Sequence, residues 1–172
     1  MPHVSTVGID FMKKEYDYQG QKVGIQWWDT AGQERFRSPV LTMTRNSNAV
    51  VVVVDVTSQL ENNGFKVDIA SKLEDKDGPL YFIVVNKIDK IANSGQKERF
   101  IKRLREINSI PLNYKIHYTS AHTGEGTNSL VKDILHQCMT ICDSKKSKKS
   151  ERIPKINAER SPTQKPKKFC LF

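Results

Sequence analysis

The chain has 172 residues, enough for one ordinary domain, and its 37% hydrophobic content can supply a core. Its formal charge of +9 is unevenly placed: residues 143–172 hold ten Lys or Arg against three Asp or Glu (+7), which leaves the first 142 residues at +2, 18 minus 16. The longest wholly apolar run, Ala49 to Val54, falls far short of the roughly 18 residues a membrane span needs, and Met1 to Asp10 has no signal-peptide core. On these features the chain is expected to be cytoplasmic.

Taken in order, "EYDYQGQKVGI" reads as a hairpin around Gly20, joining a strand that starts near Gly8 to one through Val23, Ile25 and Trp27, which alternate with Gly24 and Gln26. Trp27 and Trp28 therefore point to opposite faces, one into the core and the other outward. "AVVVVVD" and "LYFIVVN" are short continuous apolar runs ending in polar residues, as in parallel strands covered on both faces by helices. The spacing predicts helices through Phe100, Ile101, Leu104 and Ile107, through Leu130, Val131, Ile134, Leu135, Cys138 and Met139, and over Gln59 to Asp75. "KIHYTSA" supplies one more short strand, so the alternation predicts an α/β sheet with right-handed crossovers. From Ser144 the composition shifts to Lys, Ser and Pro without periodicity. Residues 1–143 are expected to form the folded domain and 144–172 a disordered basic tail.

The three cysteines lack zinc spacing or a disulfide pattern. Cys138 and Cys142, four apart on an apolar helical face, read as packing residues, whereas Cys170 stands apart near the end. His3, His117, His122 and His136 form no cluster and read as structural or exposed. The tail's two aromatics, Phe169 and Phe172, are too few for base stacking, and no nucleic acid is expected as a partner.

Ligands of an open α/β sheet sit beyond the carboxyl ends of its strands, where "WWDTAGQ", "VVNKID" and "YTSA" should converge. Asp29 suits a hydrated magnesium ion, Gly32 permits close approach of a backbone N–H to a phosphate, and Gln33 can orient a water in line with it. The Asp89 carboxylate can accept two hydrogen bonds from adjacent N–H groups, an edge that guanine has and adenine lacks. Asn86 can bridge the base and neighbouring loops, the Lys87 stem can lie along the nucleotide, and N–H groups around Ser120 and Ala121 can donate to the purine oxygen.

In order and spacing, "STVGIDF", "WDTAGQERF", "DVT", "NKID" and "TSA" resemble the Ras-like small GTPases, and the first two resemble the Rab branch. The resemblance covers about Val4 to Asp143. It implies a P-loop GTPase three-layer α/β sandwich, its sheet mostly parallel with one antiparallel edge strand, here without the first strand and helix. By resemblance, Thr6 ligates magnesium and senses the γ-phosphate, and Asp29 supports the same ion. Gly32 donates to the γ-phosphate, and Gln33 is the catalytic water-positioning residue. Phe11, Trp28 and Met43 occupy the effector-contacting positions. The implied cofactors are GTP or GDP with Mg2+, and the implied partners are effectors, an exchange factor and a GTPase-activating protein. The implied activity is GTP hydrolysis in a switch for vesicle trafficking, on the cytosolic face of an endomembrane.

Several features depart from that pattern. No glycine is followed by lysine, so the chain holds no G-x-x-x-x-G-K-[ST] phosphate loop. The impaired nucleotide binding this implies leaves an alternative, a non-enzymatic pseudo-GTPase or truncated isoform that binds effectors. The absent strand would lie between those ending at Asp29 and Asp55, leaving two unpaired apolar edges unless another element fills the gap. Cys170 is the expected lipidation residue, although only two residues follow it where a C-a-a-X box has three. Lys165 to Lys168 would reinforce such a lipid at an anionic membrane.

Overall fold

The computed structural model describes residues 9–30, 44, 47–58, 60, 78–108, 110, 114–150 and 167–171, with the backbone alone for 108, 143–150 and 167–171. β1 (Ile9–Tyr18) and β2 (Gln21–Thr30) form the expected hairpin. Gln19 and Gly20 both take positive φ, 52° and 75°, as the right-handed twist of a two-residue turn requires, and the Gly20 N–H donates to the Asp17 carboxylate at 3.2 Å. β3 (Ala49–Asp55), β4 (Leu80–Asn86) and β5 (Ile116–Tyr118) are mutually parallel, and β1 is the antiparallel edge. This is the α/β architecture of a Ras-like GTPase, as the sequence implies.

Helix α1 (Ser94–Asn108) starts where the Asn93 side chain accepts the Gln96 N–H at 2.9 Å, and α2 spans Thr127–Ser150. The two helices cover opposite faces, because alternate residues of each strand feed different cores. Ala49 and Val51 join Val23, Ile25, Trp27, Phe82 and Val84 beneath Ile134, Leu135, Cys138 and Met139 of α2. Val50, Val52 and Val54 join Ile83, Val85 and Ile116 beneath Leu104 of α1. Buried Trp27 donates its indole N–H to the Tyr16 hydroxyl at 3.1 Å, while Trp28 lies half-buried on the other face, as the alternation predicts.

Beyond residue 143 the described residues are the end of α2 and one short strand, and residues 151–166 and 172 lie outside them. α2 runs past the expected boundary to Ser150, and residues 167–171 form a strand, β6 (Lys167–Leu171). The sheet order is β1-β2-β6-β3-β4-β5, so β6 fills the gap where two bare apolar edges were expected. It pairs parallel with Ile25–Asp29 of β2 and with Ala49–Val51 of β3. Lysine's good helix propensity lets α2 continue without an apolar stripe. β6 is held by ladders on both sides, a stabilisation that depends on remote partners and not on local composition. The helix expected over Gln59 to Asp75 lies almost wholly outside the described residues.

Candidate nucleotide-binding edge

Parallel pairing brings the carboxyl ends of β2, β3, β4 and β5 to one edge of the sheet. There the residues closing the apolar runs are bonded to one another. Asn86, the last residue of β4, uses its Oδ1 to accept both the Thr119 hydroxyl at 3.2 Å and the Ala121 N–H at 3.0 Å. That fixes the side-chain amide through its oxygen and assigns its Nδ2 as the donor end. Lys87 takes the left-handed conformation, φ 63° and ψ 35°, and turns the chain into a short 3-10 segment, Ile88–Lys90. The Ile88 N–H donates to the Thr119 carbonyl at 3.2 Å, which locks this turn to the loop after β5.

Asp89 is exposed and accepts the hydroxyl proton of fully buried Ser120 at 2.6 Å. The Ser120 bond outweighs the effect of desolvation and holds the Asp89 carboxyl below the ordinary carboxylate value. Its charge is therefore secure at neutral pH, as acceptance of two N–H groups requires. Lys87 makes a 2.7 Å ion pair with Asp55 at the end of β3. Partial burial raises the Asp55 pKa, but Lys87 together with the Thr57 N–H and hydroxyl, both within 2.8 Å, brings the net shift down. The sequence singled Asp55 out only as part of "DVT", whereas its structural role is to hold the Lys87 ammonium.

The Ser120 N–H donates to the Glu125 carbonyl at 3.0 Å and the Ala121 N–H to the Asn86 Oδ1. The loop can fold back in this way because of Gly126, a residue the sequence did not mark. Its φ is +72°, and a Cβ there would lie 2.0 Å from the Tyr118 carbonyl oxygen.

Asp29 is exposed at the same edge on β2. Its chemistry, a carboxylate beside an expected hydroxyl ligand, fits a hard, hydrated cation, although the described residues contain no cluster of three His, Cys, Asp or Glu. Thr6, Gly32, Gln33 and Met43 lie outside the described residues. On the outer face, Phe11 stacks on Trp28 with ring centroids 5.3 Å apart and remains 55% exposed. Ile9 and Met12 are also exposed on that edge strand. Two histidines are structural, as expected: His117 is buried 3.2 Å from Asp133, and His136 Nδ1 shares a 2.8 Å hydrogen bond with the Tyr18 hydroxyl. No helix among the described residues is long and apolar enough to cross a membrane.

A parallel sheet that gathers an Asn-Lys-x-Asp turn and a Thr-Ser-Ala loop at its carboxyl edge defines the small-GTPase class. Comparison with known proteins agrees: residues 2–140 match the Ras family. The chain is 36% identical to the Ras-related protein Rab-26 of Bos taurus over 124 residues, 70% of this chain and 46% of that protein. It is 35% identical to Rab-4 of Dictyostelium discoideum over 141 residues, covering 81% and 66%, and 33% identical to Rab-13 of Canis lupus familiaris over 135 residues, covering 77% and 66%. The chain belongs to the Ras family and is Rab-like. It spans between about half and two thirds of the length of these relatives.

Proposed function

We propose that this chain carries the guanine-reading and effector-presenting body of a Rab-type GTP switch that acts in vesicle trafficking at the cytosolic face of an endomembrane. The observation that carries the reading is the locked constellation of Asn86, Lys87, Asp89 and Ser120. It presents an amide donor and a firmly ionised carboxylate at the ligand edge before any ligand arrives. Preorganisation of this kind removes part of the ordering cost of binding.

In the complete switch, Asp29 and Thr6 would hold magnesium, which would neutralise phosphate charge, while Gln33 would position the attacking water and Gly32 would donate to the γ-phosphate. Effectors, an exchange factor and a GTPase-activating protein would read the two switch segments, with Phe11, Trp28 and Met43 as effector contacts. Cys170 and the basic residues near it would attach the chain to an anionic membrane, and no nucleic acid would be involved. Residues 1–172 contain no G-x-x-x-x-G-K-[ST] segment, so base recognition here lacks its main phosphate anchor.

Titration of purified 1–172 with GTP and ATP in the presence of magnesium tests this. The expected result is no saturable binding at micromolar nucleotide, with guanine favoured over adenine at millimolar concentration and the preference lost in Asp89→Ala. Micromolar GTP binding abolished by Asp89→Ala would refute the impairment, and the absence of any base preference would refute the guanine site. The exposed Phe11–Trp28 stack supports a second reading, an effector-binding pseudo-GTPase. That reading predicts effector capture that is independent of nucleotide and lost in Phe11→Ala.

A further inference from the structure

Among the described residues, β1 is the last strand on its side of the sheet and presents an open backbone edge. Its two-residue turn makes Tyr18 and Gln21 the hydrogen-bonded closing pair. The even-numbered residues of β1 therefore spend their N–H and C=O groups on β2, while Ile9, Phe11, Lys13, Glu15 and Asp17 direct theirs outward. The Phe11 N–H agrees, donating at 2.8 Å to the neighbouring Asp10 carboxylate. Exposed edges are commonly blunted by shortness, proline or a bulge. β1 has none of these: it runs ten residues, contains no proline and pairs with β2 residue for residue without a skip. It also leaves Phe11 and Met12 55% and 60% exposed, one on each face of the sheet. Its guards are its charges, and charges repel a like-charged partner but not their own complement.

We propose that β1 is a self-association edge whose occupant is β1 of a second copy of this chain, paired antiparallel about a two-fold axis at Lys14. A two-fold axis normal to the sheet keeps each side chain on its own face, so odd residues must oppose odd ones and even residues even ones. The axis therefore passes through a residue and not between two. Centring on Lys14 sets Lys13 against Glu15 twice and Met12 against Tyr16 twice, over the nine residues from Asp10 to Tyr18 of each copy. Lys13 and Glu15 are also among the residues whose backbone groups point outward, so they form hydrogen-bonded pairs of the new ladder. Centring on Lys13 would oppose Lys13 to its own copy and match no opposite charges. Centring on Glu15 would shorten the ladder and call on Asp17, whose carboxylate already accepts the Gly20 N–H at 3.2 Å. The one like-charged pair left is Lys14 on the axis, and its ammonium is turned back over the Tyr16 ring, 5.3 Å from the centroid.

Sedimentation equilibrium of the full chain, without nucleotide, tests this. A small edge interface predicts a concentration-dependent dimer with a Kd of roughly 10 to 500 μM. Lys13→Glu and Glu15→Lys, both at exposed positions, should each weaken it about tenfold, and the double exchange should return it to within about threefold of the parent. Circular dichroism spectra matching the parent's check that these variants fold. Oxidative cross-linking reads the register. Lys14→Cys lies on the axis at the separation of a non-hydrogen-bonded pair, and should form a disulfide with its copy faster than Lys13→Cys or Glu15→Cys. Peptide mass separates that product from disulfides of Cys138, Cys142 and Cys170. A chain that stays monomeric at about 1 mM would overturn the proposal, as would a dimer indifferent to both single reversals. Loss that the double exchange fails to restore, or fastest linking in Lys13→Cys or Glu15→Cys, would overturn the register on which the self-recognition rests.

Discussion

The two halves of the ligand edge are built by different means. On the β4–β5 side, the residues expected to read the base are tied to their neighbours by bonds of 2.6 to 3.2 Å, spanning only the loops that end adjacent strands. On the β2–β3 side, where the phosphates would lie, sheet continuity depends on β6. The β4–β5 half is therefore tied together by local polar satisfaction. The β2–β3 half is complete only when distant parts of the sequence meet. The contrast predicts that the bonds among Asn86, Asp89, Ser120 and Ala121 survive changes that would dismantle the other half.

The largest effect should come from breaking the β2 side. Trp27 is 9% exposed, packs in the core beneath α2 and stands in register with Phe169 of β6. Trp27→Ala removes that packing and the bond to Tyr16, and should cost roughly 3–5 kcal/mol. Chemical denaturation monitored by circular dichroism measures the loss. A loss below about 1 kcal/mol would mean that this core is not a working part of the fold.

The sequence revealed the two halves unequally, for physical reasons. "AVVVVVD" and "LYFIVVN" carry their burial in their composition, so strands and sheet edge were legible, and the alternation around Trp27 and Trp28 assigned their faces correctly. "NKID" and "TSA" were legible as partners because each closes such a run. "KKFCL" gave no signal within a basic, proline-containing stretch, since its strand state is imposed by neighbours far away in sequence. Gly126 was equally silent, because a positive φ and a close carbonyl are properties of a folded loop. The engagement of the Ser120 and Ala121 N–H groups was likewise unreadable, as it depends on where Glu125 and Asn86 meet them.

An intermediate effect should come from the β5 loop. Gly126→Ala places a Cβ on the Tyr118 carbonyl and strains a left-handed backbone, for about 1–3 kcal/mol. The change should displace the loop that carries Ser120, so its signature is local. Amide exchange near Ser120 and Ala121 should accelerate, and the proposed guanine preference should fall, while exchange in β2 stays unchanged. If exchange in β2 accelerated as well, the two halves would be coupled and the contrast between them would fail.

The smallest effect should be a pH dependence that separates the halves without mutation. Burial, with help from Lys115, lowers the His117 pKa below its ordinary 6.5, against an opposing pull from Asp133. The unfolded state therefore binds a proton that the folded state resists, so stability falls as pH drops through 6.5. The carboxylates act lower. In Asp133, burial raises the pKa, but Lys115, Gln137 and His117 outweigh it; in Asp55, Lys87 and Thr57 do the same. Their stabilisation is present above the ordinary 3.8 and is lost as pH falls through their depressed values. Denaturation midpoints measured from pH 8 to pH 3 should thus show a shallow decline near 6.5 and a second one below 4. His117→Asn should flatten the first and keep most of the second, which Lys115, Gln137, Lys87 and Thr57 still support. A first decline that persists in His117→Asn would assign it to another group and remove His117 from the account of how α2 is anchored beside β5.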